Sequence, residues 1–197
     1  MTPDAPVTRR TQAERRDSTR AALADAAIEG LVEQGWAATT AVWVCERAGL
    51  TRGAFHHHFD GLPALFAEAL ARVHDELRRA AGTGPVTSIE DVVDRTWACI
   101  GRRRFKAVVE AWLAMANEPE LRTEIGPVVA SFASLVDPAT IAEAVVTTDE
   151  RRTFVLLARE AMIGLALGRA ANGGRALPHE AAVLDRLRGD ARRLDRG

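Results

Sequence analysis

The chain has no tyrosine, one lysine (Lys106) and two cysteines (Cys45 and Cys99). Two cysteines, each within an apolar pattern, cannot build a disulfide framework, so a reducing, cytoplasmic setting is expected. No apolar run approaches the roughly 18 residues that span a bilayer, and the amino terminus has no apolar signal core. Neither membrane insertion nor secretion is expected. Net charge is only −1, so the molecule is not a basic blanket for a polyanion, and any nucleic-acid surface must be local. Paired carboxylates, a phosphate-cradling loop and metal-ligand spacings are also missing, and no enzyme chemistry, cofactor or metal is expected.

What remains is an ordinary globular composition. The 197 residues are 47% hydrophobic and 27% charged, enough to build a core in one or two domains. Strand-like alternation is rare and helical spacing recurs, so an all-α fold of about nine helices is expected. Behind a loose tail over Met1 to Thr8, a first helix should run from Arg10 to Gln34, burying Leu23, Ala27 and Leu31. A short helix follows from Ala41 to Ala48, capped by Thr40 and stopped by Gly49. Thr51 caps another that turns Phe55 and Phe59 inward. A longer helix over Leu62 to Ala80 tolerates Pro63 in its first turn. Gly82 to Pro85 marks a domain boundary. Ser88 then opens a helix that buries Ile89, Val92, Val93, Thr96, Trp97 and Ile100. Further helices are expected at Phe105–Asn117, Glu120–Val136, Thr148–Ala171 and Pro178–Arg193.

Residues 40–59 are the informative stretch. Two short helices joined by a tight turn bury little surface alone. A helix-turn-helix, in which the first helix braces and the second enters a DNA groove, gives them a purpose. The outward face of the second helix would carry Arg52, Gly53, His56 and His57. Gly53 and Ala54 are small enough for close approach to the groove, and Arg52 and the histidines can donate to bases or phosphate. Thr40 and Thr51 put hydroxyls and free N–H groups at helix N-termini, where phosphate docks. Arg9 to Arg20 adds five arginines against Glu14 and Asp17, with Arg20 nearest the motif.

Thr39-Thr40, Val44-Cys45, Ala48 to Phe55 and His57-His58-Phe59, with Ala26-Ala27 and Gly35 upstream, resemble the signature of the tetracycline-repressor (TetR) family of transcriptional regulators. The resemblance covers residues 17–77, while residues 86–197 share only helicity and length with that family. It implies a DNA-binding domain over 17–77 and a helical effector-binding and dimerisation domain over 86–197. The implied partners are double-stranded DNA with a near-palindromic operator, a small-molecule effector and a second copy of the chain. Three departures stand out: His56 where the family usually has tyrosine, Leu62-Pro63 where a lysine usually opens the fourth helix, and Trp43 on a normally polar side. They motivate an alternative, a helical protein-interaction module of the same fold with weakened operator binding.

The remaining candidates divide between function and packing. His56, His57 and His58 point about 100° apart on a helix and cannot converge on one metal ion. Cys45 reads as a small core residue, and Arg102-Arg103-Arg104 as a solvated helix junction. Trp97, Phe105, Trp112, Met115, Phe132 and Met162 either line an effector cavity or fill a core. A cavity of that kind would take a mostly apolar effector, with Arg95, Glu110 and Arg159 as polar anchors. Phe154, Leu157, Ala161, Leu165 and Gly168, facing Val183, Leu184 and Leu187, form the expected dimer contact.

Overall fold

The computed structural model describes residues 11–82, 84–136 and 144–197. Within them the chain forms nine α-helices and no strand: α1 (Gln12–Glu33), α2 (Ala41–Ala48), α3 (Arg52–His58), α4 (Leu62–Ala81), α5 (Ile89–Ile100), α6 (Phe105–Asn117), α7 (Gly126–Val136), α8 (Asp149–Ala171) and α9 (Glu180–Arg196). The tail over Met1 to Thr8, with Arg9, Arg10 and Thr83, lies outside the described residues.

Helix starts follow their caps. Thr11 accepts the Glu14 N–H while Glu14 reaches back to the Thr11 N–H, so α1 opens with a capping box. Ser88 and Thr148 cap α5 and α8 in the same one-sided way as Thr40 and Thr51 cap α2 and α3. The single helix expected over Glu120–Val136 is instead two pieces, a 3₁₀ turn at Pro119–Arg122 and then α7. Pro127 explains the break: without an N–H it cannot continue a helix from residue 123, but it fits the first turn of a new one. The last helix starts and ends two to three residues later than expected, within ordinary end fraying.

One continuous core runs through the molecule. Leu23, Ala27, Ile28 and Leu31 of α1 meet Leu65, Phe66, Ala69 and Leu70 of α4. The other end of α4 packs Val73 and Leu77 toward α5 and α7. α5 in turn rests on α8 and α9. The α5–α9 contact is zipped by charge: Asp195 accepts the Ile89 and Glu90 N–H groups at 2.8 and 3.2 Å, so α9 caps the N-terminus of α5. Arg188 pairs with Asp94 at 2.7 Å, and Arg192 with Glu90. Trp97, expected in the buried stripe of α5, is only half-buried, while Cys99 is fully enclosed.

Candidate nucleic-acid interface

α2 and α3 form a short two-helix unit held against α1. Thr40 Oγ1 accepts the Trp43 N–H at 3.2 Å, and Thr51 Oγ1 accepts the Ala54 N–H at 3.1 Å. Both hydroxyls thus serve first as caps, while both side chains stay exposed. The turn between the helices depends on Gly49, whose φ of 66° is left-handed and favours glycine. Trp43 is half-buried because α1 makes room for it. A Cβ on Gly30 would lie 2.8 Å from the indole and 2.5 Å from Thr39 Cγ2, so only glycine lets α1 approach the bracing helix this closely. The departure at Trp43 is therefore a packing contact.

α3 has one buried and one open face. Phe55 and Phe59, 1% and 4% exposed, anchor it inward with ring centroids 6.1 Å apart. Arg52, Gly53, His56 and His57 are exposed and Ala54 is half-buried. Arg52 pairs with no carboxylate among the described residues, so its guanidinium is free to meet an anion. Arg20, also expected to face DNA, is engaged within the chain. It donates to the His58 carbonyl at 3.0 Å, pairs with Glu68 and stacks 4.4 Å over the Phe59 ring. It clamps the end of α3 to α1 and α4. His58 packs beside it with Nδ1 buried and unpartnered. Burial, and then the charges of His57, Arg16 and Arg20, hold its pKa below the ordinary 6.5.

Leu62 opens α4 half-buried against the core, behind Gly61, which supplies no side-chain cap. Leucine brings no charge to that helix start. Cys45 is 3% exposed and its thiol pKa is raised, chiefly by burial, while Cys99 is pushed up to about 12 by burial. Both thiols stay protonated and serve as core. Among the described residues no His, Cys, Asp or Glu side chains gather into a metal-ligand set.

A polar clamp that the sequence reading missed joins this unit to the later helices. Glu110 Oε2 of α6 accepts the Trp36 N–H at 2.9 Å, and Glu110 Oε1 takes the Lys106 ammonium at 2.9 Å. Lys106 also donates to the Leu31 carbonyl near the end of α1 at 3.2 Å. The spacing of the lone lysine from a glutamate four residues on was the available signal. Glu110, a candidate effector anchor in the sequence, has both carboxylate oxygens engaged in this clamp.

The other expected effector anchors are also turned to structure. Arg95 binds Asp91 and the Gly84 and Pro85 carbonyls, and Arg159 pairs with Glu160. Of the six candidate lining residues, Phe105 borders a cleft at the α5–α6 turn, and the other five are not in its lining. Phe105, Phe132 and Met162 are buried, and Trp97, Trp112 and Met115 are half-buried. Phe105 meets Trp112 edge-on, and Phe132 meets His74 of α4 the same way. Of the dimer candidates, Leu157 is 65% exposed, Phe154, Ala161, Gly168, Val183 and Leu187 are half-buried, and Leu165 and Leu184 are buried within the protomer. Those two, expected at the dimer contact, pack into the core of the single chain and leave little surface for a partner. The helical pattern marked them as apolar but could not tell which of two apolar faces α8 turns inward. The outward face instead presents Leu156 and Leu167 beside Leu157, with Gly164 exposed among them.

An all-helical chain whose amino-terminal part carries a helix-turn-helix with a polar outward face belongs to the class of helix-turn-helix proteins. Comparison with known proteins narrows the class. The family described as "Bacterial regulatory proteins, tetR family" matches over residues 23–69. The HTH-type transcriptional regulator TtgW of Pseudomonas putida is 34% identical over 114 residues, covering 57% of this chain and 72% of that one. TtgR of the same species is 37% identical over 89 residues, covering 44% and 39%. The HTH-type regulator Rv2912c of Mycobacterium tuberculosis is 35% identical over 86 residues; the match spans under half of either chain, 44% and 43%. A transcriptional regulator from Rhodococcus shares the fold with a TM-score of 0.66 at 22% identity, covering 88% of this chain and 96% of that one. Salmonella enterica GusR does so at 0.58 and 19%, covering 92% and 98%. The chain belongs to the tetR family of bacterial regulatory proteins.

Proposed function

We propose that the chain is a DNA-binding transcriptional repressor, with residues 17–77 as its DNA-binding domain and residues 86–197 as its effector-binding and dimerisation domain. The observation that carries this reading is the two-faced α3. Its phenylalanines fix it to the core, and Arg52, His56 and His57 stand free beside the small Gly53 and Ala54. Arg52 can fork onto guanine or phosphate, the histidines can donate to base edges, and Gly53 lets the backbone come close. Thr40 and Thr51 add hydroxyl donors at the helix starts that flank the turn.

Two copies would bind a near-palindromic operator with their recognition helices about 34–36 Å apart, one turn of the duplex. The exposed Leu156, Leu157 and Leu167 on α8, next to Gly164, support pairing of the last two helices across a two-fold axis. A small effector with an apolar body releases the DNA by binding better to a dimer with different helix spacing, which shifts the population. α4 touches both parts and is the lever. A gel shift against DNA from upstream of the chain's own coding sequence tests this. A retarded, competitor-resistant complex supports the repressor. The bare start of α4 at Leu62 favours the interaction-module alternative if no such complex forms.

A further inference from the structure

A cleft of about 220 Å³ lies between the end of α1, the α5–α6 turn, α6 and the end of α8. It falls below the ~300–1,000 Å³ of pockets for drug-sized ligands, so it suits a compact molecule. Val32, Phe105, Val109 and Ala166 form apolar walls, and Arg102, Arg103, Lys106 and Arg169 bring four cations to its lining. Three of these have carboxylate partners. Arg169 pairs with the buried Glu180 at 2.5 Å, Lys106 with Glu110 at 2.9 Å, and Arg103 with Glu33 at a loose 3.5 Å. Arg102 reaches only the Ala98 carbonyl and pairs with no carboxylate among the described residues. Cations at the ends of α1 and α8 also complement the helix dipoles. Lys106 and Arg169 suffice for that, because each already binds a carbonyl or carboxylate there. Arg102 is left over and Arg103 is held only loosely by Glu33; both arginines are exposed, and with Glu33 the one carboxylate of the lining against four cations, the cleft is net positive.

We propose that this cleft binds a small amphipathic organic carboxylate, with its head on Arg102 and Arg103 and its apolar body against Phe105, Val109 and Ala166. This names the effector's chemical class and rests on the regulator reading above. Two guanidinium forks match a carboxylate in shape and charge, and a site closed on one side by apolar walls rewards an attached hydrocarbon. The arriving carboxylate competes with Glu33 for Arg103. The Arg103–Glu33 pair is one of the ties from the α5–α6 turn to α1, alongside the Lys106 bond to the Leu31 carbonyl. Exchanging it loosens the end of α1 just before Trp36 and the bracing helix, so occupancy of the cleft reaches α2 and α3 through α1.

Calorimetric titration of the full chain with octanoate and with octanamide separates charge from hydrocarbon, since the two share an apolar body. Octanoate should bind saturably and at least about tenfold more tightly than octanamide, the worth of one charge-assisted contact pair. Arg102→Gln/Arg103→Gln should lose at least that factor for octanoate with an unchanged thermal melt. Arg104→Gln, from the same turn but paired with Glu76 away from the cleft, should keep wild-type affinity. Equal binding of acid and amide, no saturable binding of octanoate, or loss in Arg104→Gln equal to that of the double variant overturns the proposal. In a separate arm, octanoate should weaken DNA binding by wild type and not by the double variant. Failure to bind DNA at all counts against the regulator reading alone, because the calorimetry needs no DNA.

Discussion

The backbone N–H of Trp36 donates to the carboxylate of Glu110 at 2.9 Å, across 74 residues of sequence. The bond fixes the loop that leads into α2 to the middle of α6. The same carboxylate holds Lys106, which reaches the end of α1. One acidic side chain thus ties the loop before α2 and α3 to the later helices, and it is less than a quarter exposed.

Glu110→Ala should therefore cost about 1–3 kcal/mol in denaturant unfolding, because it leaves the Trp36 N–H unpaired and the half-buried ammonium without its carboxylate. Gly35→Ala should act on the same contact from the other side. Gly35 has a φ of 87°, and a Cβ there would lie 2.9 Å from Glu110 Oε2. Amide exchange at Trp36 should quicken in both variants; unchanged protection would show that the clamp does not hold the loop.

On DNA, Arg52→Ala and His56→Ala should each flatten discrimination between operator and random duplex by about 1–3 kcal/mol per lost base contact. Leu62→Lys should do the reverse of specialising. It adds one phosphate contact per subunit, tightening binding to all sequences and steepening the slope of log affinity against log salt by about two per dimer, at roughly 0.9 per phosphate. Titrations of fluorescent duplexes at several salt concentrations read both effects. An unchanged slope would mean that residue 62 does not face the backbone.

Acid should weaken the fold through His58. Its pKa is lower folded than the ordinary 6.5, so as pH falls below that value the unfolded chain takes up a proton the folded chain resists. The stabilisation is complete above pH 6.5 and is lost on the way down through the depressed folded value. His58→Gln should show a smaller loss of unfolding free energy between about pH 7 and 5 than wild type. Equal slopes would remove His58 from the account.

Association should depend on the outward face of α8. Leu157→Glu/Leu167→Glu should sediment as a monomer with its fold intact, since both side chains are exposed. Leu165→Glu should instead unfold the chain, because Leu165 is only 5% exposed and a charge there has no partner. A folded dimer for the first variant would exclude this face.

The sequence was most legible where local chemistry decides structure. Thr40, Gly49 and Thr51 marked the helix-turn-helix by capping and turn preference alone, and the spacing of Phe55 and Phe59 told which side of α3 faces in. It was least legible where distant elements compete. Arg20 reads as a free cation until Glu68, Phe59 and the His58 carbonyl are brought to it by the fold. Leu165 and Leu157 are equally apolar in sequence, and only the packing of α5 against α8 separates the buried one from the exposed one. The break before α7 is legible in Pro127, which cannot sit inside a helix begun near residue 120.

The central claim is specific recognition of DNA by α3. Fluorescence anisotropy should compare a duplex from upstream of the chain's own coding sequence with a shuffled duplex of equal length and charge, at near-physiological salt. The account predicts two chains per site and at least about a 10³-fold preference for the native duplex, most of it lost in an Arg52→Ala/His56→Ala variant. Equal affinity for the native and shuffled duplexes at every salt concentration would contradict it.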